Sequence, residues 1–438
     1  MATLSQLLVT HSGWLVFTTL ATVGLLLVSA IRLFLRPAMS GALDPFNIQL
    51  IVFLGPALVG FLLLPFVTGT FSNSYYTIVL FLGAWLLVIR LCGRAGRVDL
   101  TDRMPTDFQF ALLWMSIAIV FANVTVNMII PGKIPLLTEG GVYSRFEATT
   151  NSRLLSWLNL GTAPMPGIVF AVTQSARVRR FATIALGIGI AESLLFASKG
   201  AIIGIVLVLL NAMYVAGKRN ETLRYTKLRK YMVIAAICVG CLTPVYLIAI
   251  GFGRNGGATL ALVSRFLTGF DQLMFTSQFD LLRGTSLGSP LHINLLEYQF
   301  MPFFKAVLGT NYEYSNIGQY VISTMTGNYI AGPATLPNSN LILETVFTSG
   351  PFMGLLAFCF ESVIFYRFRL YTMQRPVTPF ALGLLCNFVI NPFGLFLSGQ
   401  EWITTTAVVF VTVIIAYGLA ALWRVIERLL IFPRAMST

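Results

Sequence analysis

The sequence is poor in charged residues. Only 10% of its 438 residues are charged, while 56% are apolar. Soluble domains carry about 25% charged residues, so a globule of this size would lack the polar side chains to cover its surface. The composition therefore excludes a large soluble enzyme, and the high apolar fraction excludes a disordered chain.

Residues and motifs of nucleotide and metal chemistry are also scarce. The chain has two histidines and no Walker A motif, H-E-x-x-H motif or Cys/His ligand set, which argues against ATP-driven work and a zinc centre. All five cysteines lie in apolar runs or in predicted inner loops, so no disulfide framework is expected. Cys238 and Cys241 form a C-x-x-C in an apolar run, which is typical of small residues at a helix contact. We expect no metal and no other cofactor.

Long apolar runs dominate what is present. A helix that spans a bilayer needs about 20 mostly apolar residues. Eleven such runs occur, at 14–34, 47–67, 74–91, 108–130, 155–174, 181–197, 200–217, 231–252, 341–366, 378–398 and 404–424. The weakest is 155–174, which contains Asn159, Pro164 and Pro166. The sequence predicts an all-α polytopic integral membrane protein with about eleven transmembrane helices.

The basic residues fix the predicted orientation. Of the 29 Lys and Arg residues, 21 follow spans one, three, five, seven, nine and eleven. By the positive-inside rule these loops face the cytoplasm, so the N-terminus lies outside and the C-terminus inside. The net charge of +13 then reflects topology and does not indicate nucleic-acid binding.

This topology divides the chain into three parts. Residues 1–252 hold spans one to eight with a medium outer loop at 131–154, residues 253–340 form a large outer loop, and residues 341–438 hold the last three spans. The large loop is rich in Phe, Tyr and Leu. Its apolar residues at helical spacing predict an amphipathic helix, either on the membrane interface or packed on the outer ends of the spans; they are Val263, Phe266, Leu267, Phe270 and Met274.

Eight basic residues remain on the predicted outer side, where insertion disfavours them. They are Lys133, Arg145, Arg153, Lys199, Arg254, Arg265, Arg283 and Lys305. Binding of a phosphate-bearing ligand would explain them, because the planar Arg fork binds two oxygens at once; pairing between loops is the alternative. Lys199 stands at the tip of a tight hairpin before a helix N-terminus, a favourable anion site. Glu192, within span six on the same helical face, either serves function or locks the hairpin by pairing with Lys199.

The end of the large loop offers acid–base candidates. Glu344 lies one turn inside the outer end of span nine, where its carboxylate could accept a proton from a sugar hydroxyl or pair with an outer Arg. His292 is the only histidine of the large loop, and histidine has the ordinary pKa that suits a general base; a loop position without a catalytic role is the alternative. Gly350 and Gly354 form a G-x-x-x-G, which favours close packing between helices.

Two segments resemble the bacterial O-antigen polymerase family, the oligosaccharide repeat-unit polymerases known as Wzy, and more distantly the O-antigen ligases. Ser-Lys-Gly-Ala at 198–201 is similar to a basic turn of that superfamily. Pro-Asn-Ser-Asn-Leu at 337–341, with Glu344 and the two glycines after it, resembles its loop-to-helix segment. The architecture of many spans with a long outer loop before the last three is also similar. In the ligases a His often precedes the Asn, and here that residue is Pro337, which favours the polymerases.

The resemblance implies a GT-C-like fold and metal-independent glycosyl transfer on the periplasmic face of the bacterial inner membrane. The first outer loop, residues 68–74, has no carboxylate, unlike the metal-dependent GT-C enzymes. The donor would be a glycan on undecaprenyl pyrophosphate, the acceptor one lipid-linked repeat unit, and undecaprenyl pyrophosphate the leaving group. Partners would be these lipids, membrane lipids, a chain-length regulator and a flippase.

The implied site residues fall into three groups. Lys199, Arg145, Arg254 and Arg265 would stabilise the leaving pyrophosphate. Glu344 or His292 would be the general base. Asn338, Asn340, Glu192 and Tyr312 would bind substrate, Tyr312 by stacking on a sugar ring unless it only packs within the loop.

Three other functions stay open. A flippase or transporter for the same lipid-linked oligosaccharide should show internal repeats and paired broken helices, and no half-to-half repeat is evident in the sequence. An O-antigen ligase would transfer the glycan to a second lipid acceptor. A non-catalytic membrane partner of a polysaccharide assembly would use the long outer loop as a docking surface.

Overall fold

A computed structural model describes most of the chain: residues 14–41, 44–69, 71–94, 96, 98–134, 152–196, 214, 271–283, 293–310, 312, 314, 316–327, 340–391 and 393–435. In these residues the regular structure is helical and no strand occurs. One isolated bridge joins Asp102 to Val377. The expected all-α class is confirmed for the part of the chain that the structure describes.

The described helices are numbered here in chain order. They are α1 (Trp14–Leu35), α2 (residues 45–68), α3 (Asn73–Leu91), α4 (Thr106–Ile129), α5 (Arg153–Thr162), α6 (Met165–Val172), α7 (Ala176–Leu195), α8 (Asp271–Gln278), α9 (Leu295–Leu308), α10 (Ile317–Thr326), α11 (Leu341–Met373), α12 (Pro379–Ile390), α13 (Gly394–Leu397) and α14 (Gly399–Ala435). Three of them contain π-helical turns, at Leu50–Leu54 in α2, Thr125–Ile129 in α4 and Leu385–Ile390 in α12.

Local sequence explains where several helices begin and end. Ser72, Ser152 and Asn294 each precede a helix and accept a hydrogen bond from the backbone N–H three residues later, which satisfies a donor that has no partner within the helix. Gly309 directly follows α9 and caps it in the left-handed conformation, with φ of 65°, which glycine adopts without steric cost.

Four helices are long and apolar enough to cross a membrane among the described residues, namely α3, α4, α11 and α14 up to Glu427. Their lipid-compatible character is visible in exposed apolar side chains such as Phe352 and Ile414, which are 74% and 67% exposed. Patches of this kind on several helices would aggregate a protein in water. The count of eleven spans stays a prediction, and the runs at 200–217 and 231–252 lie almost wholly outside the described residues.

Proline interrupts the weakest predicted span. The run at 155–174 forms two helices, α5 and α6, which are separated at Ala163 and Pro164. The Thr173 backbone then leaves the helix, and α7 begins at Ala176, five residues before the predicted start of span six.

The G-x-x-x-G of span nine has a different role from the predicted packing between helices. Gly350 has φ of 73° and ψ of 170° and breaks α11, because the following Pro351 disfavours helical backbone before it. The chain turns so sharply that a Cβ on Gly354 would lie 2.7 Å from the backbone oxygen of Thr345. The two glycines therefore allow one helix to fold back on itself.

The chain forms two compact units. The first consists of Met1–Gly96, Phe252–Leu370 and Asn391–Thr404, and the second of Arg97–Gly251, Tyr371–Ile390 and Thr405–Thr438. Each unit combines segments that are distant in sequence. The predicted division into residues 1–252, 253–340 and 341–438 concerns membrane topology, and the two compact units do not test it.

Aromatic side chains fill the core of the first unit. Trp85 of α3 is 1% exposed, and its ring centroid lies 4.6 Å from that of Phe396 and 5.8 Å from that of Phe393. Phe46 stacks on Phe393 at 4.8 Å. Helix α3 is thereby fixed against α2 and α13.

Helices α4, α5, α6 and α7 pack together in the second unit. Small residues permit some of the close contacts, since a Cβ on Gly161 of α5 would lie 2.7 Å from a methyl group of Val408. Trp114 of α4 and Phe181 of α7 have ring centroids 4.9 Å apart. This helix group carries the polar residues described below.

Candidate functional site

The structure describes four of the ten residues that the sequence predicted for a site. They are Asn340 and Glu344 at the start of α11, Glu192 in α7 and Tyr312 after α9. The other six lie outside the described residues, and their predicted roles are untested: Arg145, Lys199, Arg254, Arg265, His292 and Asn338.

Glu344 lies in the first turn of α11, as predicted, and is fully buried. Asn340 caps this helix, because its Oδ1 accepts a hydrogen bond of 2.9 Å from the backbone N–H of Ile342. Nδ2 of Asn340 is also buried and has no acceptor among the described residues. The cap thus leaves one amide donor beside the turn that carries Glu344.

Ser398 contacts the carboxylate of Glu344 directly. Its hydroxyl lies 3.3 Å from Oε1 of Glu344 and can donate to it, while its oxygen accepts from the backbone N–H of Glu401 at 3.2 Å. Ser398 is 5% exposed and directly precedes α14. A neutral donor on one carboxylate oxygen orients Glu344 without adding an opposite charge.

Gly399 lets two polar side chains approach the backbone at the start of α14. A Cβ at this position would lie 2.5 Å from Oε2 of Glu344 and 2.9 Å from Nε2 of Gln299. Gln299 belongs to α9, in the large loop predicted outside, and is 2% exposed. The loop therefore folds against the start of α11 and contributes to the surroundings of Glu344.

A second carboxylate joins this cluster through Gln299. Nε2 of Gln299 donates to both oxygens of Glu361, at 3.0 Å each. Glu361 lies in α11 beyond the break at Gly350, and the fold-back of α11 brings both Glu344 and Glu361 close to Gln299. We call Gln299, Glu344, Glu361, Ser398 and Gly399 the carboxylate cluster.

The carboxylate cluster can accept protons and hold hydroxyl groups. Its members combine two carboxylates with amide and hydroxyl donors, which suits general acid–base work on hydroxyl groups. No group of three or more His, Cys, Asp and Glu side chains that could hold a metal ion occurs in the described part of the chain.

Glu192 lies in a separate polar group within the second unit. It is 4% exposed, and its Oε1 accepts hydrogen bonds from the amides of Asn123 at 2.6 Å and Asn159 at 2.9 Å. Asn127 donates to Oδ1 of Asn123 at 2.6 Å, and the backbone N–H of Ser152 donates to Oδ1 of Asn127 at 3.0 Å. In this series of hydrogen bonds every residue donates to the next one towards Glu192.

Tyr312 contacts a basic side chain. The ammonium group of Lys305 lies 5.6 Å from the centroid of the Tyr312 ring, within the range of a cation–π contact. Tyr312 is partly buried, and stacking on a sugar stays a prediction.

Several polar residues that contact Glu344, Glu192 or Gln299 are not predicted from the sequence. Gln299 and Ser398 carry no motif, since an isolated amide or hydroxyl is common in any loop. Asn123 and Asn127 could have been noticed, because an i, i+4 pair of amides in an apolar run places both on one helical face. Glu361 was visible as an ionisable residue inside a span, which is a functional indication in itself.

No protein-family model, curated protein or solved structure matches this chain.

Proposed function

We propose that this protein is an integral membrane glycosyltransferase. It polymerises undecaprenyl-pyrophosphate-linked oligosaccharide repeat units into O-antigen or a related surface polysaccharide at the periplasmic face of a bacterial inner membrane. The observation that carries the proposal is the carboxylate cluster, in which Glu344 of the loop-to-helix segment accepts a hydrogen bond from Ser398 and lies beside Gly399, close to Gln299 of the large loop.

The proposed reaction assigns Glu344 the role of general base. The acceptor's terminal hydroxyl oxygen attacks the anomeric carbon of the donor, and its proton passes to Glu344. The bond from that carbon to the pyrophosphate breaks, and undecaprenyl pyrophosphate leaves with the bonding electrons. Because Glu344 is fully buried, the acceptor hydroxyl takes the place of Ser398 at Oε1, while Nδ2 of Asn340 supplies a donor for a second sugar oxygen.

The predicted orientation is supported by contacts between distant segments. Two ion pairs, Asp44–Arg369 and Asp107–Arg424, each join segments predicted at the inner side. The hydroxyl of Ser74, at the predicted outer start of span three, donates to the carboxylate of Asp280 in the large loop at 2.8 Å. These pairings agree with an outer loop that folds over one end of the spans.

In the decisive assay, the purified full-length protein is incubated in detergent with lipid-linked repeat units. No nucleotide is added and no ion gradient is present. A ladder of lengthened glycans with no second lipid acceptor supports polymerisation, and transfer only when lipid A core is added would make the protein a ligase. Removal of a general base costs about 10²- to 10⁴-fold in rate, so Glu344→Gln should reduce ladder formation by that factor. Glu297→Gln is the matched control, because Glu297 is a less buried carboxylate in α9 whose loss should leave the rate unchanged.

A transporter of the same lipid is the second candidate, favoured by the break in α11 at Gly350. Transporters use discontinuous helices to build substrate sites near the middle of the membrane. Reconstituted protein that moves intact lipid-linked repeat units across liposomes and forms no longer glycan would replace the polymerase proposal with this one.

A further inference from the structure

The position of Glu192 raises the question of how its charge is accommodated. It lies in α7, an apolar helix, and is 4% exposed. A charge inside a membrane costs several kcal/mol unless it is paired or reaches water. The described partners of Glu192 are two neutral amides, Asn123 and Asn159, and neither supplies a compensating charge.

The amide of Asn159 indicates which form of Glu192 the site fits. Its Nδ2 donates to Oε1 of Glu192, while Oδ1 of the same amide is buried and receives no hydrogen bond from any residue that the structure describes. A buried acceptor without a donor costs about 1–3 kcal/mol. An ionised carboxylate cannot relieve this cost, because it has only acceptors, whereas a protonated carboxyl group has one O–H donor.

We propose that Glu192 is a proton-binding site. The proton resides on Oε2 and is donated to Oδ1 of Asn159, so that the carboxyl and amide groups form a reciprocal pair with two hydrogen bonds. Oε1 stays the acceptor for Asn123 and Asn159, as the structure has it. This site is independent of the proposed glycosyl transfer.

A metal ion fits the same oxygens less well. Hard cations such as Ca²⁺ and Mg²⁺ take six or more oxygen ligands. Here Oδ1 of Asn123 and Oδ1 of Asn127 are already engaged as acceptors, which leaves Glu192 and Asn159 as the available ligands in this group. A proton needs one acceptor, and Asn159 provides it.

The charged groups around Glu192 are few in the helices packed against α7. Helix α4 offers Asn123 and Asn127 near Glu192 and has its Asp107 at the opposite end. Lys133 follows α4 and its backbone N–H bonds to Met128; Arg153 begins α5. Helix α6 has no ionisable side chain. The arginines of α7 lie in its first turns, far along the helix from Glu192, at Arg177, Arg179 and Arg180.

Release of the proton to water would change the contact between α5 and α7. The carboxylate would then face Oδ1 of Asn159, acceptor against acceptor, and the pair would keep only the amide donor bond. The two helices would be held less firmly on the side of the break at Ala163 and Pro164. Proton binding is thus a means by which pH acts on the packing of α5.

The test uses the purified full chain and two readouts, thermal stability as a function of pH and the infrared carbonyl band of protonated carboxyl groups. Glu192→Gln is the key variant, because a Gln amide supplies both the acceptor and the donor of the protonated acid. We expect this variant to match the parent's stability at neutral pH, to lose the fall in stability that the parent shows as pH rises, and to lack one carbonyl band. Asn159→Leu should shift that band in the parent background, and Glu297→Gln should leave it unchanged.

Three results would overturn the proposal. A spectrum in which Glu192→Gln removes no protonated-carboxyl band would mean that Glu192 is ionised. If sodium chloride stabilised the parent and choline chloride did not, and if this difference disappeared in Glu192→Gln, the site would be assigned to a metal ion. In the third result, Lys199→Gln destabilises the parent but has no effect in the Glu192→Gln background. That result would mean that a lysine, and not a proton, neutralises the carboxylate.

Discussion

The buried ion pair between Asp44 and Arg369 should be a main determinant of the stability of the first unit. The two side chains are 0% and 1% exposed. Asp44 Oδ2 also accepts from Ser40 at 2.8 and 3.0 Å, and Arg369 donates to the backbone oxygen of Ala38 at 3.2 Å and lies over the ring of Phe46. The pair therefore ties the segment before α2 to the end of α11.

Replacement of Asp44 by Asn leaves the Arg369 guanidinium buried without its carboxylate. Removing one partner of a buried pair costs about 3–5 kcal/mol, because the remaining charge is uncompensated. Proteins have total stabilities of about 5–15 kcal/mol, so this single change should remove a large fraction. The loss of unfolding free energy is measured by equilibrium unfolding of the purified protein in mixed micelles that contain an increasing fraction of a denaturing detergent.

Two variants make the test specific. In Asp44→Asn combined with Arg369→Met, no unpaired charge remains, so most of the lost free energy of unfolding should return. Asp107→Asn breaks the pair with Arg424, whose side chains are 26% and 41% exposed, and its effect should be much smaller because such pairs are screened. If Asp44→Asn destabilised no more than Asp107→Asn, or if the double variant were no more stable than Asp44→Asn alone, the ion pair would not be a main determinant of the stability of the first unit.

Two further predictions follow from packing and burial. Gly354→Ala should destabilise the protein and lower its polymerising activity, because the added Cβ would meet the Thr345 backbone at 2.7 Å; Gly83→Ala, with nothing within 4 Å, should be neutral or stabilising by about 0.5–1 kcal/mol in the same unfolding assay. Burial raises the pKa of the Cys92 thiol, and the charge of Arg367 partly offsets this rise. The thiolate fraction of Cys92 at pH 7–8 is therefore low. Mass spectrometry should show that maleimide labels Cys92 slowly in the folded protein and fast after unfolding. Rapid labelling of Cys92 in the folded protein would contradict its burial.

The helices were largely predictable because their signals are local. Hydropathy over about 20 residues placed α3 at 74–91, where the structure has Asn73–Leu91, and α1 at 14–34, where it has Trp14–Leu35. Proline in the run at 155–174 indicated a break that the structure contains. The same signal, Gly350 before Pro351, was present in span nine and was interpreted as a packing motif instead.

The candidate site was predictable only in part. Glu344 was identified because an ionisable residue at the edge of a span stands out against apolar neighbours. Its partners Gln299 and Ser398 are ordinary polar residues 45 and 54 positions away, and nothing in their own neighbourhood marks them. Glu361 is an ionisable residue inside a predicted span, which is a signal in itself, but its contact with Gln299 depends on the fold-back of α11.

The sequence by itself determined that this chain is helical and carries segments apolar enough for a membrane, because length, hydropathy and helix caps act over a few neighbouring residues. The tertiary structure decided which polar groups meet: Asp44 with Arg369, Glu344 with Ser398, and Glu192 with Asn159. Such contacts depend on how separate helices pack and on where a helix turns back, and no local pattern encodes them. In an apolar protein these few polar contacts are the ones that set its chemistry, because each buried polar group must find a partner.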